Sequence, residues 1–468
     1  MSSRAAPVAS RGAVFWSSLN GVAAVGLPFV VFAGFARLMA PAQFALVAVA
    51  LAVLEMLKTL APQGLYDVLV THDEGERTYH EAAAAILLSA ALVVMVTFWG
   101  VLAISQSVFG MVMPAPAYWL GLKVLFDLAL LQPQAAMVRR AEIRRLSTRS
   151  LYSGVIGALI GMGVGLGVSP IGGLVSFYVI QSLVTFLATI WGAKVMARPE
   201  YHDAPARDMM GQALRASGVR VAAGGNNYLD QVLAGRMFLP AVVGQYNLGK
   251  RIEIVSVTLA SSMAQIVWQP GFAVSGESGR RDAIARGVAS VALVCGLPAG
   301  MFAVLAPVAV PFVFGAHWAA AAPVAAALAL SGVVRALGSV AGAVLTVTRR
   351  NGTLLAISVA GLIGNVALIV VTAPYGIFTT AVAILGRSVL LCMVQYAALC
   401  EVGRGLMGIV FTHFVLPLAC TMVICQCGRL GAAWLLAGET GVLRNFIELA
   451  ISGGAGALVG VPWLLRKI

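Results

Sequence analysis

The sequence predicts an all-α polytopic membrane protein of about 14 transmembrane helices, and three observations predict it. Hydrophobic residues make up 60% of the 468 and charged residues only 10%, with a mean hydropathy of +0.93. The apolar residues fall in long runs, most near the roughly 20 residues that a helix needs to cross a bilayer. Arginines gather in the short connections between those runs, as cytoplasmic loops require. The 51 glycines suit close helix packing in lipid.

Taken in order, the expected spans are 13–34, 44–70, 82–106, 116–138, 150–168, 171–195, 216–239, 242–273, 284–311, 320–348, 353–373, 376–400, 406–427 and 444–464. Twelve is the alternative count if the last two form a separate hairpin. Spans 44–70 and 242–273 exceed the bilayer and are expected to tilt or to project beyond it. With the N-terminus inside, even-numbered loops should be basic. The fourth carries Arg139, Arg140, Arg144, Arg145 and Arg149; the sixth carries Arg198, Arg207 and Arg215. The eighth has Arg280 and Arg281, the tenth Arg349 and Arg350, and the C-terminus Arg466 and Lys467. Odd-numbered loops are nearly bare apart from Arg37, Arg236, Arg429 and Arg444. Both ends are therefore expected in the cytoplasm. The second loop departs from the pattern with Asp73, Glu74, Glu76 and Glu81 against Arg77, and acids weigh little in this rule.

The N-terminal MSSRAAPVASRG precedes an apolar run too long for a signal-peptide core, so an uncleaved first helix is expected. The formal charge of +13 does not indicate nucleic acid, because its arginines serve as topology signals facing anionic lipid. Six cysteines lie in or beside apolar spans without a CxxC pair, so no metal is expected. No HExxH, Walker loop or Ser-His-Asp set appears, and the five histidines are scattered. An enzyme is not expected, nor a cofactor. A membrane-embedded glycosyltransferase would need catalytic residues, often in a large outer loop, and every loop here is short.

The chain also repeats itself. Arg37-Leu-Met-Ala-Pro41-Ala42 ends the first span, and Arg236-Met-Phe-Leu-Pro240-Ala241 ends the seventh, offset by 236 − 37 = 199. Ala45 stands where the second copy has Gly244. A second echo sets Val108-Phe109-Gly110 against Val313-Phe314-Gly315, offset by 313 − 108 = 205. Both copies run in the same direction, which makes the repeat parallel. Such halves commonly enclose a substrate site near the midplane. The expected organisation is an N-terminal lobe (1–200, helices 1–6), a C-terminal lobe (201–402, helices 7–12) and two appended helices (403–468). The polar stretch 196–215 would be the linker between lobes.

These repeats sit in stretches that resemble a known family. ARLMAPAQFALVAVA (36–50), LDQVLAGRMFLPAVVGQYNLGKRI (229–252) and VFGAHWAAAAPVAAALAL (313–330) are similar to motifs of the polysaccharide (oligosaccharyl-lipid) flippases of the MOP exporter superfamily. That superfamily also contains the MATE drug exporters and the lipid II flippases. The resemblance implies two six-helix lobes around a central cavity, alternating inward-open and outward-open states, and a location in the bacterial inner membrane. It implies transport of a polyprenyl-pyrophosphate-linked oligosaccharide repeat unit, of undecaprenyl type, to the periplasmic leaflet for exopolysaccharide or O-antigen-type export. Membrane lipids and polysaccharide polymerase machinery would be partners. The alternatives are a lipid II flippase or a multidrug exporter of the same superfamily. Export of organic cations would call for an acidic cavity, and this chain has the reverse.

Ionisable residues deep in a span are costly and mark a transport path. Lys58, Lys123, Lys250, Arg251, Arg335 and Arg387 lie near the middle of apolar spans, against only Glu55, Asp127, Asp230 and Glu253. The surplus is cationic, which suits a cavity accepting a large anion. Glu55 with Lys58, Lys123 with Asp127 and Lys250 with Glu253 are three or four apart and share helix faces. Arg251 projects about 100° from Lys250, and Arg335 and Arg387 have no acid on their own helices. These three arginines are the leading pyrophosphate contacts, since a guanidinium pairs two hydrogen bonds with phosphate oxygens. Lys58 and Lys250 are further cavity cations. Asp230 is a candidate for proton coupling, or for an interlobe salt bridge. Asn20, Asn226, Asn227 and Gln395 could bond sugar hydroxyls or simply join helices. Pro28, Pro270, Pro298, Pro307 and Pro311 are positions where spans can kink.

Overall fold

The computed structural model describes residues 26–71, 77–140, 142–193, 198–264, 268–274, 276–399, 405–435 and 442–465. Among these residues there is no strand, and nine helices are long and apolar enough to cross a membrane. Every expected span overlaps a helix. We label them α1 (Gly26–Leu38), α2 (Pro41–Leu60), α3 (Arg77–Ala103), α4 (Leu120–Ala129 and Leu131–Arg139), α5 (Ile143–Gly167), α6 (Pro170–Ala193) and α7 (Asp203–Met237). There follow α8 (Pro240–Met263), α9 (Gly276–Val291 and Leu297–Phe314), α10 (Ala322–Val347), α11 (Asn351–Thr372), α12 (Ile377–Ala397), α13 (Leu406–Val410 and Leu416–Leu435) and α14 (Val442–Leu465).

Local sequence explains the boundaries. Pro41 and Pro240 each open the second span of their half at the first helical position, where a missing N–H costs nothing. Ahead of Pro41, the Ala40 N–H donates to the Gln43 side chain, half of a capping box. The long expected span 44–70 ends at Leu60; the Ala-Pro-Gln-Gly turn then leads into a separate short helix, Leu65–Thr71. The breaks inside α9 and α13 have one cause. Each passes through a π turn, Ala292–Gly296 or Phe411–Val415, just ahead of Pro298 or Pro417. A proline cannot donate to the carbonyl four residues back, and a widened turn absorbs the misfit.

The chain packs as two units. One contains Leu46–Val232 with the stretch ending at Phe35; the other contains Ala36–Ala45 and Leu233 onward. This division differs from the expected lobes at 1–200, 201–402 and 403–468. The start of α7 is helical rather than a linker, and buries Ala206, Met209 and Ala213 against Leu65, Leu69, Ala82, Ala83 and Leu87. At the other end, α13 and α14 pack on each other and on α9, so residues 403 onward belong to the second unit.

In the first unit α5 lies against α6. A side chain on Gly173 would strike the backbone of Gly161 and Gly165; small residues at this spacing let helices approach closely in lipid. In the second unit α8 packs on α10 and α10 on α12. The ten residues 36–45 belong to this core. Fully buried Trp318 donates its indole N–H to the Ala36 carbonyl at 2.7 Å and meets Phe44 edge-on. His317 reaches the Ala36 and Met39 carbonyls at 3.1 and 3.2 Å. Arg37 donates to the Phe312 and Val313 carbonyls, capping the negative end of α9.

This turn accounts for an alanine at position 45 where the second copy has Gly244. A Cβ on Gly244 would run into the Pro41 carbonyl, whereas the methyl of Ala45 is accommodated and fully buried. Gly244→Ala is expected to destabilise by about 1–3 kcal/mol, and Ala45→Gly by no more than about 1 kcal/mol. The midpoint of thermal unfolding in detergent checks the order; equal losses would contradict this account.

Candidate substrate-binding charges in the membrane spans

Each unit holds a cluster of enclosed charges between its second and fourth spans. In the first unit, Lys58 pairs with Glu55 at 2.5 Å and with Asp127 at 2.8 Å. Lys123 pairs with Glu55 at 2.7 Å and with Asp127 at 2.5 Å. Two lysines and two carboxylates thus form a closed, neutral ring joining α2 to α4. Their side chains are 12–19% exposed. Burial of ions at this depth is tolerated only with such complete pairing.

In the second unit, Glu253 is the hub. It forms an ion pair with Lys250 at 2.9 Å on its own helix and accepts from Arg335 of α10 at 2.6 Å. Ser331 reaches the same carboxylate and contacts Ser388 of α12 at 3.0 Å. Lys250 and Glu253 are almost wholly enclosed, while the Arg335 side chain remains 18% exposed. This cluster contains two cations and one carboxylate, so it carries the surplus that the first unit's ring lacks.

The same-helix pairs follow from spacing, and the structure forms all three. The cross-helix partners were not anticipated: Lys58 with Asp127, Lys123 with Glu55, and Arg335 with Glu253. Arg251 is half-buried on α8, next in sequence to Lys250. Arg387 is half-buried on α12 and donates to the Gly361 carbonyl of α11 at 3.0 Å. It is the neighbour in sequence of Ser388, but its guanidinium turns to α11 rather than to the Glu253 carboxylate.

The expected polar contacts are spread more widely. Asp230 is buried, and its carboxylate accepts the Gln231 backbone N–H at 2.8 Å. Gln231 in turn donates to the Asn227 carbonyl at 3.1 Å. Asn226 and Asn227 are half-buried on the same stretch of α7. The Gln395 amide fills the space beside Gly338 that a Cβ would occupy, which joins α12 to α10. Asn20 lies outside the described residues.

One residue was missed. Asn365, in the middle of α11, is buried, and neither its amide oxygen nor its nitrogen has a hydrogen-bond partner among the described residues. A buried amide is costly unless it is hydrogen-bonded, so Asn365 is a further polar position in the spans to weigh beside those expected. Its sequence signal is slight: one asparagine in the apolar run LIGNVAL.

A profile of the family described as "Polysaccharide biosynthesis protein" matches residues 35–323. No curated protein sequence matches the chain. Among solved structures, the fold is similar to the lipid II flippase MurJ in an inward closed conformation. That likeness has a TM-score of 0.74 at 12% identity and covers 97% of this chain and 98% of that one. It is also similar to an inward-facing multidrug resistance MATE family transporter of the MOP superfamily, with a TM-score of 0.58 at 15% identity, covering 82% and 94%. The Vibrio cholerae MATE transporter VcmN in its bent form gives 0.52 at 14% identity, covering 86% and 98%. At these identities the likenesses establish the fold alone: an all-α, multi-pass membrane architecture.

Proposed function

The chain belongs to the polysaccharide biosynthesis protein family, and from that premise we propose that it is an inner-membrane flippase for a polyprenyl-pyrophosphate-linked oligosaccharide. The observation that carries the reading is the surplus of cations in the spans, centred on α8, α10 and α12. A pyrophosphate is a compact anion of high charge, and arginine binds it through paired hydrogen bonds while staying protonated. Arg251, Arg335 and Arg387 are assigned to that contact. Arg335, Lys250 and Lys58 all hold carboxylates; Arg335 has further guanidinium donors to offer a phosphate, and the two lysines would contribute chiefly through their field.

The transport cycle in this reading is alternating access between two lobes, taken as residues 1–200 and 201–402 with helices 403–468 appended. Both termini face the cytoplasm. The headgroup loads from the cytoplasmic side, the glycan occupies a central cavity, and the polyprenyl tail stays in lipid. Asn20, Asn226, Asn227 and Gln395 would meet sugar hydroxyls, and Asp230 would couple an ion. No bond is made or broken, so the protein acts as a transporter rather than an enzyme. Polymerase machinery would take up the delivered unit.

Lipid mass spectrometry on a deletion strain tests the substrate class. Accumulated polyprenyl-pyrophosphate-linked oligosaccharide with loss of surface polysaccharide is expected. Normal lipids and normal polysaccharide would send the search to lipid II or drug export. Arg251→Glu is expected to abolish export at undiminished membrane level, since charge reversal repels the pyrophosphate. Normal export by this variant would remove Arg251 from the site.

A further inference from the structure

From the juncture of α3 with the segment leading into α7, we infer a divalent-cation site, for zinc foremost, built by Glu81, Glu200 and His202. A carboxylate oxygen of each glutamate and a ring nitrogen of the histidine all lie within 4.8 Å of one another. Glu81 Oε2 and His202 Nε2 are 3.2 Å apart. Zinc takes such ligands at about 2.0–2.2 Å, which sets the edge of a tetrahedral site at roughly 3.3 Å. The observed pair is already spaced as two corners of that tetrahedron. Glu200 is exposed, and its side chain can supply the third corner by rotation, leaving the fourth for water.

The three ligands are not equivalent, and their differences fit the assignment. The Glu81 side chain is only 6% exposed, and Arg77 donates to its other oxygen, Oε1, at 2.6 Å. That bond fixes the carboxylate plane and turns Oε2 toward His202. Hydrogen-bonded carboxylates of this kind support metal ligands from behind. Two carboxylates and a neutral imidazole balance a dication, and the mixed oxygen and nitrogen set suits zinc better than magnesium, which prefers oxygen and water. The second Glu81 oxygen already meets the His202 ring at 3.2 Å, so a cation would take up a pairing that the fold has prepared, with Glu200 close by.

The site would have a mechanical effect within its unit. Glu81 lies near the start of α3, and Glu200 and His202 lie in the segment just before Asp203 opens α7. Tyr79 already reaches Asp208 across the same juncture at 3.3 Å. A bound cation would add to the apolar packing of Ala206, Met209 and Ala213 that already sets the entry of α7 against α3.

The test uses the full-length protein purified in detergent, stripped of metal by chelator and titrated with zinc chloride by calorimetry. Expected is one zinc per chain, with affinity falling by about tenfold or more in Glu200→Gln and beyond detection in His202→Ala. Zinc should raise the thermal unfolding midpoint of the unaltered protein and leave that of His202→Ala unmoved. The exposed Cys420 and Cys427 serve as the control: a double serine variant should bind as before. Absence of binding by the unaltered protein overturns the inference, as does binding unchanged by both Glu200→Gln and His202→Ala. Loss of binding in the cysteine variant would move the site to the thiols. Because Glu200 is exposed, its variant remains informative even if His202→Ala folds poorly.

Discussion

Replacing Glu253 with glutamine is expected to destabilise the protein by about 3–5 kcal/mol, the cost of stripping the counter-charge from a buried ion pair. The carboxylate has no exposed surface and holds two cations, Lys250 and Arg335. Glutamine keeps the shape but leaves both charges facing a neutral amide. A large drop in the thermal unfolding midpoint in detergent, with poor membrane yield, is the expected reading. A second variant separates structure from transport. Lys250→Met, Glu253→Leu and Arg335→Met together remove every charge in the cluster, and apolar replacement of a whole buried network is often neutral. That variant should regain stability and still fail to export. Full export by it would show that the cluster serves folding alone. Glu55→Gln in the first unit is the milder comparison, because Asp127 remains to hold both lysines and the ring is partly exposed.

Trp318→Ala is the second large effect, at about 3–5 kcal/mol. The indole is fully enclosed, stacks edge-on with Phe44 and satisfies the Ala36 carbonyl. Truncation empties that space and leaves the carbonyl to His317. Trp318→Phe keeps most of the ring contact and gives up the N–H donor, so its cost should be smaller, about 1–3 kcal/mol. Thermal unfolding of both variants measures the two contributions. If the phenylalanine variant were as unstable as the alanine one, the hydrogen bond rather than the packing would hold the turn.

The sequence made some of this legible and concealed the rest for a physical reason. Spacing of three or four residues fixes neighbours on one helix, so Glu55 with Lys58, Lys123 with Asp127 and Lys250 with Glu253 could be read directly. Arg335 offered no such cue. Its carboxylate is 82 residues away on another helix, and helix adjacency is not written in any local pattern. The turn at Ala61-Pro62-Gln63-Gly64 was readable as a break, yet the apolar count on both sides masked it. The start of α7 looked like a polar linker because its buried face consists of small residues and one methionine, Ala206, Met209 and Ala213, spread among charges. The two repeated motifs were visible as separate echoes. Only the structure shows that they touch: Arg37 of the first motif caps the Phe312 and Val313 carbonyls at the second.

The path of residues 36–45 bears on how this protein could be cut and reassembled. A C-terminal fragment starting after residue 200 would lack ten residues of its own packing unit, and the Trp318 indole would have no Ala36 carbonyl to meet. The N-terminal fragment carries that missing piece as a donated helix–turn–helix corner, the end of α1 and the start of α2. Neither half is then a self-sufficient product. Co-expressed, they should reconstitute through this corner as complementing fragments, and a peptide spanning 36–45 should compete with that reassembly. Gene splitting in this protein is therefore an exchange of parts rather than a clean division.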